Sequence, residues 1–176
     1  MKRTPWLVIP VAILFTLAGV WFGQRSQKAP PLADPAVRSL FAQSMDDLTG
    51  RPQALAQWRG KTLLVNFWAT WCPPCVQEMP ELSALQAQQA GQSVQIIGIG
   101  IDTPANMREF SRKLPVGYPL YAGGMSATEL SKQLGNQAGG LPFTVLIDAD
   151  GKVRKTWRGR LDIAQVRRDI AALQSR

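Results

Sequence analysis

A short apolar run, Thr62–Trp68 (TLLVNFW), is followed almost at once by Trp71-Cys72-Pro73-Pro74-Cys75 and then by a run with helical spacing. The apolar run is bounded by Gly60-Lys61 and reads as a strand buried on both faces. Two consecutive prolines lack N–H donors and are excluded from the interior of a strand or helix, but they suit the first helical turn. The strand must therefore end before Cys72 and a helix must begin at Pro73. A buried strand passing directly into a helix is the unit of a layered α/β domain.

The rest of the chain extends that pattern. Residues 37–60 combine short strand-like pieces, a turn at Thr49-Gly50 and a brief helical stretch near Ala54–Trp58. The helix after the CPPC runs to near Ala90, with Gly91 beyond its end. Val94–Ile101 is a second buried strand, Pro104 opens a helix through Lys113, and Gly117–Tyr121 is a short strand. Ser126–Leu134 is helical and Phe143–Ile147 is a third apolar strand. Asp148-Ala149-Asp150-Gly151 is a hairpin turn leading to a strand over Lys152–Arg158. Asp162 caps a last helix whose apolar positions Ile163, Val166, Ile170 and Leu173 recur at helical spacing. Strands alternating with helices, then a closing hairpin and helix, give an α/β sandwich around a mixed sheet.

Cys72 and Cys75 are the only cysteines, and there is no histidine. The absence of histidine removes Ser-His-Asp and Cys-His catalysis, histidine-ligated haem and every zinc site that needs imidazole. As a staple the pair is poor: a four-residue ring stabilises by only about 2 kcal/mol. Reactivity is the better reason for it. A helix N-terminus favours a thiolate at Cys72 and makes it a nucleophile near neutral pH. Cys75, one turn on, is placed to attack a mixed disulfide formed at Cys72. Pro73 and Pro74 delete two N–H donors that would otherwise stabilise the Cys72 sulfur, which points to a reductant rather than a strong oxidant.

Charge carries less information. The 176-residue chain has a net charge of +8, but four of its 20 basic residues, Lys2, Arg3, Arg25 and Lys28, precede the first acid, Asp34. From Asp34 onward 16 basic residues face 12 acidic ones, which does not mark a nucleic-acid binder. The densest basic run, Lys152, Arg154, Lys155, Arg158 and Arg160, lies on an expected strand and reads as a solvated face rather than a patch for an acidic partner.

Trp6–Gly23 (WLVIPVAILFTLAGVWFG) has eighteen residues without a charge. As a helix it would span roughly 27 Å, close to the hydrocarbon thickness of a bilayer. A cleaved signal peptide competes, since Thr16-Leu17-Ala18 resembles a small-x-small cleavage site, but that cut would leave Val20, Trp21 and Phe22 exposed. The expectation is an uncleaved anchor over residues 1–23, with the helix at about 6–23. A proline-bearing linker over 24–36 and a domain over 37–176 follow. The flanking charges favour a cytoplasmic N-terminus only narrowly.

Asn66–Leu82 (NFWATWCPPCVQEMPEL) closely resembles the thioredoxin superfamily, and within it the membrane-anchored TlpA/ResA/CcmG group of thiol-disulfide reductases. The resemblance covers roughly residues 37–176. It implies a thioredoxin fold, with a central mixed β-sheet flanked by helices, an N-terminal strand extension and a central αβ insertion, preceded by one transmembrane helix. It also implies that Cys72 is the exposed nucleophile and Cys75 the resolving residue, and that Pro80 interrupts the active-site helix. Gly140-Leu141-Pro142-Phe143-Thr144 resembles the cis-proline loop beside the dithiol. That makes Leu141–Pro142 a cis bond in a loop that pairs with an extended substrate. Trp71, Pro73, Pro74, Leu141 and Pro142 are the expected substrate-binding residues.

Two departures matter. Thioredoxin carries a buried aspartate where this chain has Asn66, which does not titrate, so another group must exchange protons with Cys75. Glu78, at i+3 on the same helix, shares a face with Cys75 and matches the acidic position of ResA-like proteins. Burial beside two thiols would raise its pKa and suit it to acid–base work, whereas an ordinary acid near a helix start is the plainer alternative. Glu81 reads as a surface residue. Phe143 stands where CcmG proteins carry Glu, which favours the generic TlpA or ResA-like reading.

The resemblance implies a reductase of substrate-protein disulfides on the periplasmic side of a bacterial inner membrane, recharged by a transmembrane electron donor of the DsbD/CcdA type. Apocytochrome c or copper-site cysteines are candidate substrates. No cofactor, resident metal or nucleic acid is implied. A thiol oxidase or isomerase with a DsbA-like role is the nearest rival. A Cu(I) carrier using Cys72, Cys75 and a methionine is the rival from another class, although no motif places Met79 or Met125 for that role. Other partial motifs fail: Gly98-x-Gly100 lacks a third glycine, Leu55 replaces the first glycine of a phosphate loop ending Gly60-Lys61-Thr62, and Leu146 breaks a calcium-loop series before Asp148.

Overall fold

The computed structural model describes residues 34–89, 91 and 94–174. The expected membrane helix over 6–23 and most of the expected linker lie outside them. No helix among the described residues is long and apolar enough to cross a membrane.

The described fold includes residues that precede the expected boundary at residue 37. Helix α1 spans Pro35–Phe41, with Asp34 at its N-cap and Pro35 at the first helical position. Asp34 is itself anchored: its N–H donates to the Gly151 carbonyl at 3.0 Å and its Oδ2 accepts from Val153 N at 2.7 Å. Val37 and Leu40 are fully buried, and Phe41 nearly so. The last residues of the expected linker therefore belong to the folded unit. An acid followed by proline at a helix start was a readable signal.

Strands β1 (Ser44–Asp47) and β2 (Pro52–Ala54) form the first hairpin, and a 3-10 turn covers Leu55–Trp58. Then follow β3 (Thr62–Trp68), α2 (Pro73–Gln88), β4 (Val94–Gly100), α3 (Pro104–Lys113), β5 (Leu120–Ala122) and α4 (Gly124–Gln133). Strands β6 (Phe143–Ile147) and β7 (Val153–Arg158) and helix α5 (Ile163–Gln174) complete the chain. The sheet order is β2-β1-β5-β4-β3-β6-β7. The three central strands β3, β4 and β5 are parallel, and the flanking strands pair antiparallel. This is the expected mixed sheet, with β1–β2 as the N-terminal extension and α3–β5 as the central insertion.

Alternation on the central strands divides the core in two. Leu63, Val65 and Phe67 of β3 face α1 and α4 together with Ile97, Ile99, Phe143 and Val145. Leu64 and Trp68 face α2, α3 and α5 together with Ile96, Met79, Leu82, Met107, Val166 and Ile170. Cys72 and Cys75 belong to this second layer. The expected glycines of β4 are packing residues: a Cβ at Gly98 would lie 2.5 Å from Leu120 Cδ2, and one at Gly100 would lie 2.3 Å from Met107 Sδ.

The closing hairpin forms as read. Lys152 N donates to Asp148 Oδ1 at 2.8 Å, and Gly151 supplies the turn's positive φ of 78°. Most of the basic run is internally matched. Arg154 pairs with Asp148, Lys155 with Asp169 at 2.7 Å and Arg160 with Glu81 at 2.8 Å, while Arg158 donates to the Gly135 carbonyl. Charge already matched within the fold is little available to an acidic partner.

Candidate active site

The C-terminal ends of the parallel strands and the start of antiparallel β6 lie at one edge of the sheet, and the candidate residues emerge there. Cys72 is the N-cap of α2 with extended backbone, and Pro73 and Pro74 follow in the first turn. Cys72 and Cys75 are joined as a disulfide with a Cα–Cα distance of 5.3 Å. The Cys72 sulfur accepts from Cys75 N at 3.3 Å. With both proline N–H groups missing, Cys75 N is the first main-chain donor of the helix beyond Cys72, as the sequence argument requires.

Exposure is narrower than the resemblance implied. Cys72 keeps 4% of its surface and Cys75 none, whereas neighbouring Trp71 is 66% exposed. Access to sulfur is thus confined to the Cys72 edge, beside an exposed aromatic side chain. The loop before it is tied to the segment between β4 and α3: Thr70 N donates to Asp102 Oδ2 at 3.1 Å, and the Thr70 hydroxyl donates to the same oxygen. Asp102 Oδ1 accepts from Thr103 N at 2.7 Å and from Asn106 Nδ2 at 2.8 Å. Burial of Asp102 opposes its charge, but these hydrogen bonds outweigh it and hold the carboxyl below its ordinary value. Sequence reasoning missed Asp102, although Asp-Thr-Pro before a helix carries a capping signature.

Leu141–Pro142 is cis. Leu141 packs against both core layers, including the one that holds the cysteines. Neighbouring backbone acceptors are already engaged: Gly140 O accepts from Asn136 Nδ2 at 2.9 Å, and Pro142 O from Gly159 N at 2.8 Å. The N–H and C=O of Leu141 carry no hydrogen bond among the described residues. Phe143 is fully buried, with its ring 6.0 Å from that of Phe67, so the position after the proline is core.

Glu78 is fully buried, one turn beyond Cys75 on α2. Asn66 Nδ2 donates to its Oε1 at 2.7 Å and Leu161 N to its Oε2 at 3.1 Å. Burial is the dominant influence and pushes its pKa up from 4.5 to about 7; the Leu161 N–H, Asn66 and the Arg160 charge pull it down, and Glu81 adds a small rise. The plainer alternative of a helix-start surface acid does not describe this residue. Glu81 is the surface acid, paired with Arg160. Pro80 lies within α2, as expected.

The sequence profile of the Redoxin family matches residues 25–170. The chain belongs to the Redoxin family. A relative described as "Thiol-disulfide oxidoreductase ResA", from Geobacillus thermodenitrificans, is 31% identical over 99% of this chain and 95% of its own length. Among solved structures, a thioredoxin-related protein from Neisseria meningitidis serogroup B superposes with a TM-score of 0.67 at 32% identity, covering 75% of this chain and 99% of that one. A thiol:disulfide interchange protein of the thioredoxin family from Chlorobium tepidum TLS gives 0.63 at 29% identity, covering 74% and 92%. This Redoxin-family protein has the thioredoxin-like α/β fold and is a thiol-disulfide oxidoreductase. The resemblance to ResA-like proteins read from Asn66–Leu82 is borne out.

Proposed function

We propose that the protein reduces disulfides of substrate proteins through Cys72 and Cys75, from the extracytoplasmic side of a bacterial inner membrane. The observation that carries this reading is the Cys72–Cys75 disulfide at the N-terminus of α2, next to a buried Glu78 whose pKa lies near neutrality. In the reduced protein the Cys72 thiolate attacks a substrate disulfide, forming a mixed disulfide and releasing one substrate thiolate. Cys75 gives its proton to Glu78 and attacks Cys72, which closes the internal disulfide and releases the second substrate thiolate. Two electrons leave the protein in each cycle. An extended substrate segment pairs with the free N–H and C=O of Leu141, beside Pro142 and between Trp71 and Pro73-Pro74.

The apolar run 6–23 anchors the domain, residues after it form a tether, and a membrane donor of the DsbD/CcdA type returns the two electrons. Apocytochrome c or copper-site cysteines fit as substrates, because both must be reduced before their cofactor binds. The full-length Cys75→Ser protein should become covalently trapped with its substrate through Cys72, and mass spectrometry identifies what is trapped. The reduction potential tests direction: a value near about −120 mV would identify an oxidant and overturn the reductase reading.

A further inference from the structure

The loop before Pro142 gets little help from packing. Gln137, Ala138, Gly139 and Gly140 are exposed. Gly139 has a φ of 68°, and a Cβ on Gly140 would meet nothing within 4 Å. Two successive glycines leave the peptide planes around them free to turn, because no Cβ restricts them. The plane that follows, Gly140–Leu141, nevertheless carries the free Leu141 N–H. Phe143, two residues further on, is paired in register with Phe67 of β3, which places Leu141 at the sheet edge from which the Cys72 loop departs.

One side chain sets that plane. Asn136 is 1% exposed, and its Nδ2 donates to Gly140 O at 2.9 Å. The Gly140–Leu141 peptide is trans. In a planar trans peptide the C=O and N–H point in opposite directions, so a donor that fixes the oxygen also aims the hydrogen. Asn136 is itself firmly held: its N–H donates to Ser131 O at 2.9 Å, and its carbonyl accepts from Gly139 N at 3.0 Å. Its Nδ2 also reaches Ser131 Oγ at 3.4 Å. Ser131 Oγ donates its own proton to Thr128 O at 2.8 Å, so both partners of the amide are acceptors and the nitrogen must face them. The other amide atom, Oδ1, is buried without a partner among the described residues. A buried acceptor left unpaired lowers stability. The amide is thus a poor choice for stability alone and a good one for holding a carbonyl.

We propose that Asn136 is a positioning residue for substrate recognition, holding Gly140 O so that the Leu141 N–H is presented to a main-chain carbonyl of an extended substrate. The proposal rests on the reading of the protein as a reductase of protein disulfides that pairs with Leu141. Asn136 touches neither substrate nor sulfur and acts through one peptide plane. The consequence is selectivity. A disulfide within a polypeptide offers a carbonyl to the aligned N–H, whereas a small disulfide without a peptide backbone does not. Attack by Cys72 on sulfur is the same for both.

The test compares full-length Asn136→Ala with the parent, both reduced, in single-turnover stopped-flow reactions. One substrate is a pair of peptides joined by a disulfide, carrying a fluorophore on one and a quencher on the other. The second is 5,5′-dithiobis(2-nitrobenzoate), followed by thionitrobenzoate release. The variant should need a roughly tenfold higher peptide concentration for half-saturation, the effect of losing one hydrogen bond of ordinary strength. Its limiting rate should stay that of the parent. Its rate with 5,5′-dithiobis(2-nitrobenzoate) should be unchanged, which also shows the dithiol to be intact. Asn136→Ser provides a second variant with the same expected result, because its hydroxyl ends one bond short of the amide nitrogen. An unchanged half-saturation overturns the proposal. So does an equal loss with both substrates, which would make Asn136 a support of the whole site. A parent protein that reduces neither substrate refutes the dithiol reading itself, and the proposal with it.

Discussion

Asn66 on β3 donates through Nδ2 to Glu78 Oε1 on α2 at 2.7 Å, and the same nitrogen donates to Thr144 Oγ1 on β6 at 3.0 Å. One amide thus links the central strand, the helix that carries both cysteines and the strand that follows the cis-proline. Because Asn66 does not titrate, the ionisable role in this buried cluster falls to Glu78.

Asn66→Ala removes a donor that favours the carboxylate, so the Glu78 pKa should rise above its value of about 7. The pH–rate profile of disulfide exchange should move to higher pH. Loss of both hydrogen bonds should also cost about 1–3 kcal/mol in denaturant unfolding. A profile moving to lower pH would contradict this assignment.

Glu78 also makes stability depend on pH. Its folded pKa lies above its unfolded value, so between pH 4.5 and about 7 the folded chain holds a proton that the unfolded chain has lost. Its contribution is complete below pH 4.5 and is lost as pH rises through 7, by on the order of 3 kcal/mol. Glu78→Gln should flatten that slope when unfolding free energies are compared at pH 5 and pH 8.5. It should also slow the Cys75 step and remove the ionisation near pH 7 from its rate profile.

Asp102→Ala leaves Thr70 N, the Thr70 hydroxyl and Asn106 Nδ2 without their acceptor. Unfolding should become easier by about 1–3 kcal/mol, and exchange at Cys72 should slow because the Thr70-Trp71 approach is no longer held. Since hydrogen bonds keep the folded Asp102 pKa low, its stabilisation is present above pH 3.8 and fades as pH falls through the lower folded value. The stability difference between parent and variant should shrink in acid.

Gly123 and Gly100 separate rigid from yielding packing. A Cβ at Gly123 would lie 2.5 Å from Ala127 Cβ and 2.7 Å from Ile99 Cγ2, neither of which can swing away. Gly123→Ala should cost about 1–3 kcal/mol. At Gly100 the obstacle is the far end of the Met107 side chain, which has rotatable bonds to spare. Gly100→Ala should cost less, and thermal midpoints of the two variants give the comparison.

Much of the fold was legible because it rests on local rules. The bounds expected for Thr62–Trp68, Pro104–Lys113 and Phe143–Ile147 are those observed, since each is delimited by apolar runs, prolines or turns. Helix α1 was missed because Pro30, Pro31 and Pro35 made the stretch look like a spacer. Its reason for folding is tertiary: Asp34 is held by Gly151 and Val153, more than a hundred residues away in sequence. The Trp71–Cys75 motif and the proline after Leu141 were legible for the same local reason, as chemistry compressed into a few neighbouring residues. Asp102 was not, because Thr70, which it holds, lies more than thirty residues away in the loop after β3.

The amino-acid order alone determined that a dithiol begins a helix behind a buried strand, that two prolines strip donors from its first turn, and that no histidine assists it. These are properties of neighbours in the chain. Tertiary structure decided how far Glu78 is removed from water, which donors reach it from Asn66 and Leu161, and that Leu141 keeps its N–H and C=O free beside the cis-proline. A carboxyl's proton affinity depends on the desolvation and dipoles around it. Those come from the core around it, from Asn66 on β3 and from the segment leading into α5, brought together only when the sheet closes around α2.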